Sequence, residues 1–208
     1  MHSHQRKPEY QFDLSGGVLC LDFANTMSWR KSSDRSRDHL NSYDDLVAFA
    51  EQSTLLSPGQ AGELRAQSRR RTDAHEIFRR TISFREVLFR AFSTLAAGKP
   101  VAPDDLQTIN DLAARALGHR RLARANGRYR WEWQWDRTNN MGFILWRIAE
   151  STAELLTSTE LAALRECQAA ECGWLFLDHS RNHSRRWCDM KVCGNRQKAR
   201  RHYQRTRS

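Results

Sequence analysis

The chain has 208 residues, 39% of them hydrophobic and including seven Trp and nine Phe, which is enough apolar surface for a packed core and too much for a disordered chain. Its formal net charge is +10, and no run approaches the roughly twenty consecutive apolar residues of a transmembrane helix. The opening Met1-His-Ser-His-Gln-Arg-Lys-Pro lacks the apolar stretch of a signal peptide, so the sequence predicts a cytoplasmic protein with reduced thiols and no membrane partner.

Residues 1–15 read as a polar lead-in, and Gly16-Gly17 sets a turn. Val18 to Phe23 is apolar apart from Asp22. Leu19, Leu21 and Phe23 alternate as in a strand, while Leu19, Cys20 and Phe23 would share a helix face, so period alone leaves both open. The charged segment 30–40 reads as a loop. Ser42 caps a helix to about Gln52, and Ser57-Pro58 starts a second. Over 71–97, Ile77, Phe78, Ile82, Phe84, Val87, Leu88, Phe89, Phe92 and Leu95 form an apolar stripe with helical period, ended by Gly98. Pro103-Asp104-Asp105 opens a further helix to about Leu117.

The pattern changes at 119–136. Asn126-Gly127 signals a hairpin turn, after which Tyr129, Trp131, Trp133 and Trp135 alternate with polar residues. Aromatics on one strand face can stack nucleobases, but core packing is their commoner use and is expected here. Helix resumes over 139–157, and Ser158 caps a short helix leading to Cys167. No flexible linker lies near 157–167, so the two ends of the chain should pack together. The fold class predicted is mainly α: a multihelical domain (1–160) with one small β-hairpin near 119–136, then a C-terminal four-cysteine zinc finger (161–208).

That finger rests on Cys167-x4-Cys172, fifteen intervening residues, and Cys188-x4-Cys193. Two short Cys pairs joined by one loop suit a tetrahedral zinc, and four thiolates fill its coordination sphere, which makes the one Zn2+ structural. Two disulfides or ordinary buried thiols are the alternative. His179 and His183 are four apart nearby, but four thiolates leave them no place on the metal. The fifth cysteine, Cys20, reads as a small buried hydrophobe. From His179 to Ser208 there are ten Lys/Arg against one acid, Asp189, so the chain's basicity is concentrated in this module. Such a patch on a zinc scaffold attracts a nucleic-acid backbone.

The runs Gly-Trp-Leu-Phe-Leu-Asp-x-Ser-Arg-Asn (173–182), Arg-Arg-Trp-Cys-Asp-Met (185–190) and Cys-Gly-Asn-Arg-x-Lys-Ala-Arg-Arg (193–201) closely resemble the CGNR zinc finger family of bacteria, named for the tetrapeptide that here is Cys193 to Arg196. Gly16-Gly17-Val18-Leu19-Cys20-Leu21-Asp22-Phe23-Ala24-Asn25-Thr26 resembles the opening of ABATE, that family's usual N-terminal partner domain. The resemblance implies a transcription regulator whose finger binds zinc and DNA.

If the segment after Cys193 continues as a helix, Arg196, Arg200 and Tyr203 share one side, with Lys198, Arg201 and Arg205 on another. Asn195 and Arg196 are then the base-reading candidates, since Asn can bridge adenine N6 and N7 and Arg guanine O6 and N7. Arg181, Arg185, Arg186, Lys198, Arg200 and Arg201 are the phosphate-gripping candidates. Double-stranded DNA is the partner this favours; the alternative is an RNA- or protein-interaction module stapled by zinc. The helical domain would sense a small-molecule effector or assemble a homodimer. Asp22 and Asn25, polar within an apolar run, either line a ligand pocket or serve as turn and cap residues. No Gly-x-Gly-x-x-Gly, P-loop, His-Glu-x-x-His or Gly-x-Ser-x-Gly occurs, and the sequence predicts no enzyme.

Overall fold

The computed structural model describes residues 10–136 and 140–206, apart from the side chains of Arg200, Arg201, His202, Gln204 and Arg205. The fold is mainly α, as predicted. The ambiguous run after Gly16-Gly17 is a short helix, α1 (Leu19–Ala24), with Cys20, Leu21, Phe23 and Ala24 all buried. Helices α4 and α6 and strand β6, placed below, close around it, and a segment covered on all sides gains nothing from the two-faced pattern of a strand.

Helix α2 (Tyr43–Gln52) starts where Ser42 predicts, its hydroxyl accepting the Asp45 N–H at 3.2 Å. Helix α3 (Pro58–Ser68) opens on a capping box between Ser57 and Gln60. Helix α4 (Ala74–Ala96) is the central rod. Its buried Phe84, Val87, Leu88, Ala91 and Phe92 recur at three- and four-residue spacing, and α1, α2 and α5 (Pro103–Leu117) pack around it. Helix α6 (Phe143–Thr157) lies against α5 and α1. After it comes a 3-10 turn (Thr159–Ala163), where Ser158 makes no side-chain cap and instead donates its hydroxyl to the Leu155 carbonyl.

Strands β3 (Arg120–Ala125) and β4 (Arg128–Trp133) form the expected hairpin, with Leu122 opposite Trp131 and Arg124 opposite Tyr129. At its base Trp133 meets the Phe143 ring edge-on, and the Trp133 and Trp135 indole N–H groups donate to Glu150 and Glu63. Its far end projects beyond the helices. There Leu122, Tyr129 and Trp131 are 61%, 73% and 57% exposed, so the core expectation holds for Trp133 and Trp135 and fails for Trp131 and Tyr129. Alternation marks a face of a strand; it does not say how far the body beneath extends.

Segment 30–40, expected as a loop, is flanked and ended by a two-residue ladder, β1 (Met27–Ser28) with β2 (Arg37–Asp38). Strands β5 (Leu164–Glu166) and β6 (Leu175–Leu177) make a third antiparallel pair. Elements this short carry no readable period. Strand β6 joins two cores: Leu175 and Leu177 point into the helical one, while Phe176 points into a small cluster built of the four C-terminal cysteines, Ala169, Trp174 and Trp187. The chain closes on a π-turn (Met190–Gly194) and helix α7 (Asn195–Arg205). Among the described residues no helix is long and apolar enough to cross a membrane.

Candidate metal centre and its seat

The two Cys pairs come from two tight turns. Cys167 leaves β5 with its N–H donated to the Trp174 carbonyl at 2.8 Å, and the Cys172 N–H returns to Ala169 at 3.0 Å. Gly173 follows at φ +78, a left-handed conformation that lets the chain reverse beside the second ligand. In the second turn Asp189 accepts the Val192 N–H at 2.6 Å, and its carbonyl takes the Cys193 N–H at 3.0 Å.

The four Sγ atoms, all buried, lie within 4.8 Å of one another, and none is in a disulfide. Cys172–Cys188 and Cys188–Cys193 are each 3.7 Å apart. A tetrahedron with zinc–sulfur bonds of about 2.3 Å has edges of about 3.8 Å, so the spacing is that of a zinc tetrathiolate. Packed together, the thiols cannot share one protonation state: hydrogen bonds from its three neighbours pull the Cys167 pKa down, while the same contacts push that of Cys188 up. A dication at the centre removes that conflict by holding all four as thiolates. Cys167, Cys172, Cys188 and Cys193 form a single site for one zinc, with no coordination position left for substrate. His179 pairs with Glu160 and His183 with the Asp178 carbonyl, both away from the cluster.

The metal turns sit in a cradle made by the other end of the chain. Strand β6 offers one edge to β5. On its free edge the Asn25 side-chain amide pairs with Leu175 like one more peptide unit, Nδ2 donating to the carbonyl at 2.8 Å and Oδ1 accepting the N–H at 2.9 Å. Two residues on, the Leu177 N–H donates to the Gly16 carbonyl at 3.0 Å. The Gly16 N–H in turn donates to Asp22 Oδ1 at 2.7 Å, and a Cβ on Gly16 would stand 2.8 Å from that oxygen, so the close approach requires glycine. Burial raises the Asp22 pKa to about 7. Asp22 and Asn25 are both buried, and each has an oxygen committed to a backbone N–H.

A charged network fixes the loop that faces the metal turns. Arg85, only 2% exposed, makes a bidentate pair with Asp38, touches Glu86 and donates to the Thr26 hydroxyl. Burial works against the Asp38 carboxylate, yet the Arg85 bonds and charge outweigh it and hold its pKa below the usual range. Glu86 binds Arg30, which stacks over Phe89. Held this way, the Arg30 and Lys31 N–H groups reach the carbonyls of Cys172 and Glu171 at 3.1 and 3.2 Å, and the Trp174 indole donates to Met27. Lys31 also pairs with Glu166, which accepts from Ser93 of α4.

Residues 17–159 match the ABATE family model, described as "putative stress-induced transcription regulator", and residues 163–206 match the CGNR zinc finger. This chain belongs to the ABATE family. No curated protein matches it. Neither family description names a catalytic activity. Most of the ABATE signature from Gly16 to Thr26 thus has a physical reading in this fold: Leu21 and Phe23 enter the core, Asp22 holds Gly16, and Asn25 and Thr26 reach β6 and Arg85.

The structure separates the basic residues of the CGNR finger into two sets. Arg185 stacks over Phe176 at 4.6 Å and donates to the carbonyls of Trp187 and Cys188, bracing the second metal turn. Its own N–H, with that of Ser180, goes to Asp178, whose pKa the Ser180 bonds hold down at about 2. Arg186 donates to Gln168. Arg196 stacks over Trp29 of the ABATE part at 4.0 Å, with Arg35 also over Trp29, at 4.3 Å; the buried Arg196 Nη1 has no hydrogen-bond partner among the described residues. Arg181, Lys191, Asn195 and Lys198 are exposed. The side chains of Arg200 and Arg201 lie outside the described residues. Sequence reasoning missed Trp29, whose one signal was a large aromatic in a charged segment.

Proposed function

We propose that this protein is a DNA-binding transcription regulator in which the ABATE part (1–160) fixes the orientation of the CGNR finger (161–208). What carries the reading is the ten-to-one excess of Lys/Arg over acids from residue 179 onward, mounted on a zinc site from which α7 starts two residues after the last ligand. Exposed Asn195, at the first position of α7, is the base-reading residue, where an amide can bridge adenine N6 and N7. Arg181, Lys191 and Lys198, joined by Arg200 and Arg201, grip phosphates. Exposed Met190 and Val192 beside them suit thymine methyl contacts. Arg196 acts through Trp29, setting the angle at which α7 leaves the metal. Arg185 and Arg186 hold the metal turns, and Asp22 and Asn25 serve the seat of the finger instead of a ligand pocket.

Fluorescence anisotropy on a randomised duplex library, repeated across salt concentrations, tests this. Five phosphate contacts give a log–log slope near −4.5, a loss of several hundredfold between about 50 and 200 mM salt. Absence of binding, or binding insensitive to salt, refutes the reading. Equal competition by duplex RNA moves the assignment to RNA, because the deep A-form major groove excludes a probing helix.

A further inference from the structure

We infer that the ABATE part also binds a small amphipathic anion in a groove between α4 and α5, its charged head held by Arg80 and Arg115. The groove encloses about 300 Å³, at the small end of the range for ligand pockets. Phe84 and Val87 of α4, Leu112 of α5 and Leu145 of α6 make an apolar floor. A neighbouring hollow of about 190 Å³ runs on toward Ile77 and the stacked rings of His119 and Trp146. Arg80, Leu112, Arg115 and Leu145 line both, so the two guanidiniums stand where the hollows meet.

Charge selects the occupant. Arg79 joins Arg80 and Arg115 on the rim, with the Ser83 and Thr108 hydroxyls. The one carboxylate there, Asp111, accepts from the Gln107 amide. Among the described residues no carboxylate pairs with Arg79, Arg80 or Arg115, whereas Arg85 and Arg90 of the same helix are matched to Asp38 and Asp105. Three unmatched guanidiniums around an apolar floor suit a ligand with a carboxylate or phosphate head and a compact ring or short-chain body. Neither part suffices: an ion alone gains little from exposed arginines, and a neutral apolar body leaves them unused. Helix α4 carries this groove from Ile77 to Val87 and, through Glu86 and Ser93, also braces the seat of the finger. The inference stands apart from the nucleic-acid reading, since its readout is ligand binding alone.

Calorimetry on the full zinc-loaded chain decides it, with phenylacetate and phenyl phosphate as probes for the two head groups and acetate and 2-phenylethanol as controls. At least one probe should bind at one site per chain, about tenfold or more tighter than either control. Arg80→Gln with Arg115→Gln should weaken it by about a further tenfold or more, the scale of a lost charge-assisted hydrogen bond. Ser83→Trp, an exposed change that fills the groove, should abolish it while zinc content stays at the parent value. Probes that bind no better than acetate or 2-phenylethanol overturn the inference, as does binding that both variants retain.

Discussion

Asn25→Ala should destabilise the whole chain, because it opens the free edge of β6, which joins the two cores. Leu175 and Leu177 turn their backbone groups toward Asn25 and Gly16, while Trp174 and Asp178 turn theirs toward the β5 side. Asn25 is 4% exposed, so its loss leaves a buried N–H and a buried carbonyl of Leu175 unpaired. Each orphaned group costs about 1–3 kcal/mol, which puts the change at about 2–6 kcal/mol. Asn25→Asp should be at least as damaging at neutral pH: it keeps the acceptor for the Leu175 N–H but sets a carboxylate against the Leu175 carbonyl. Urea unfolding of the zinc-saturated protein, followed by Trp fluorescence, gives the free energy, and hydrogen exchange should show the Leu175 amide losing protection. Asn110→Ala, at an exposed position on α5, is the control and should change stability by less than about 0.5 kcal/mol. An Asn25→Ala protein within that same margin of the parent would refute the idea that this amide seats the finger.

Elemental analysis should find one zinc per chain, and Cys188→Ser should abolish it and lower the thermal midpoint of the helical part as well, since Leu164, Leu175 and Leu177 belong to the helical core; a helical transition unmoved by zinc loss would show two independent units. Burial raises the Asp22 pKa to about 7, so its contribution is fully present below about pH 4, is lost as pH rises to 7 and is flat above, with an upper bound of about 4 kcal/mol. Asp22→Asn stays neutral and keeps an acceptor for Gly16, so stability measured at pH 5 and 7.5 should differ less in the variant than in the parent; equal differences would place Asp22 at an ordinary pKa. Trp29→Ala should weaken duplex binding about tenfold by freeing Arg196 and the exit angle of α7, with zinc content unchanged; parental affinity would remove Trp29 from the interface's support.

What could be read directly from the sequence is what depends on neighbours a few residues away. Ser42 and Ser57 announce their helices because a cap is satisfied within three residues, and Asn126-Gly127 announces its hairpin because two residues make the turn. The zinc ligands are legible for the same reason, each pair closing within one turn, and the charge of the finger is a plain count. Tertiary structure decided everything that depends on distant partners. Residues 18–24 fit helix and strand equally until surrounding elements covered every side. Tyr129 and Trp131 look like Trp133 in the strand pattern, yet only the end of the hairpin next to Phe143 has a body to bury against. Asn25 meets Leu175 across 150 residues, and Arg196 finds Trp29 on the far side of the chain. Pairings at such separation leave no periodic or spacing signal, because the residues between them set the geometry only after the core has closed.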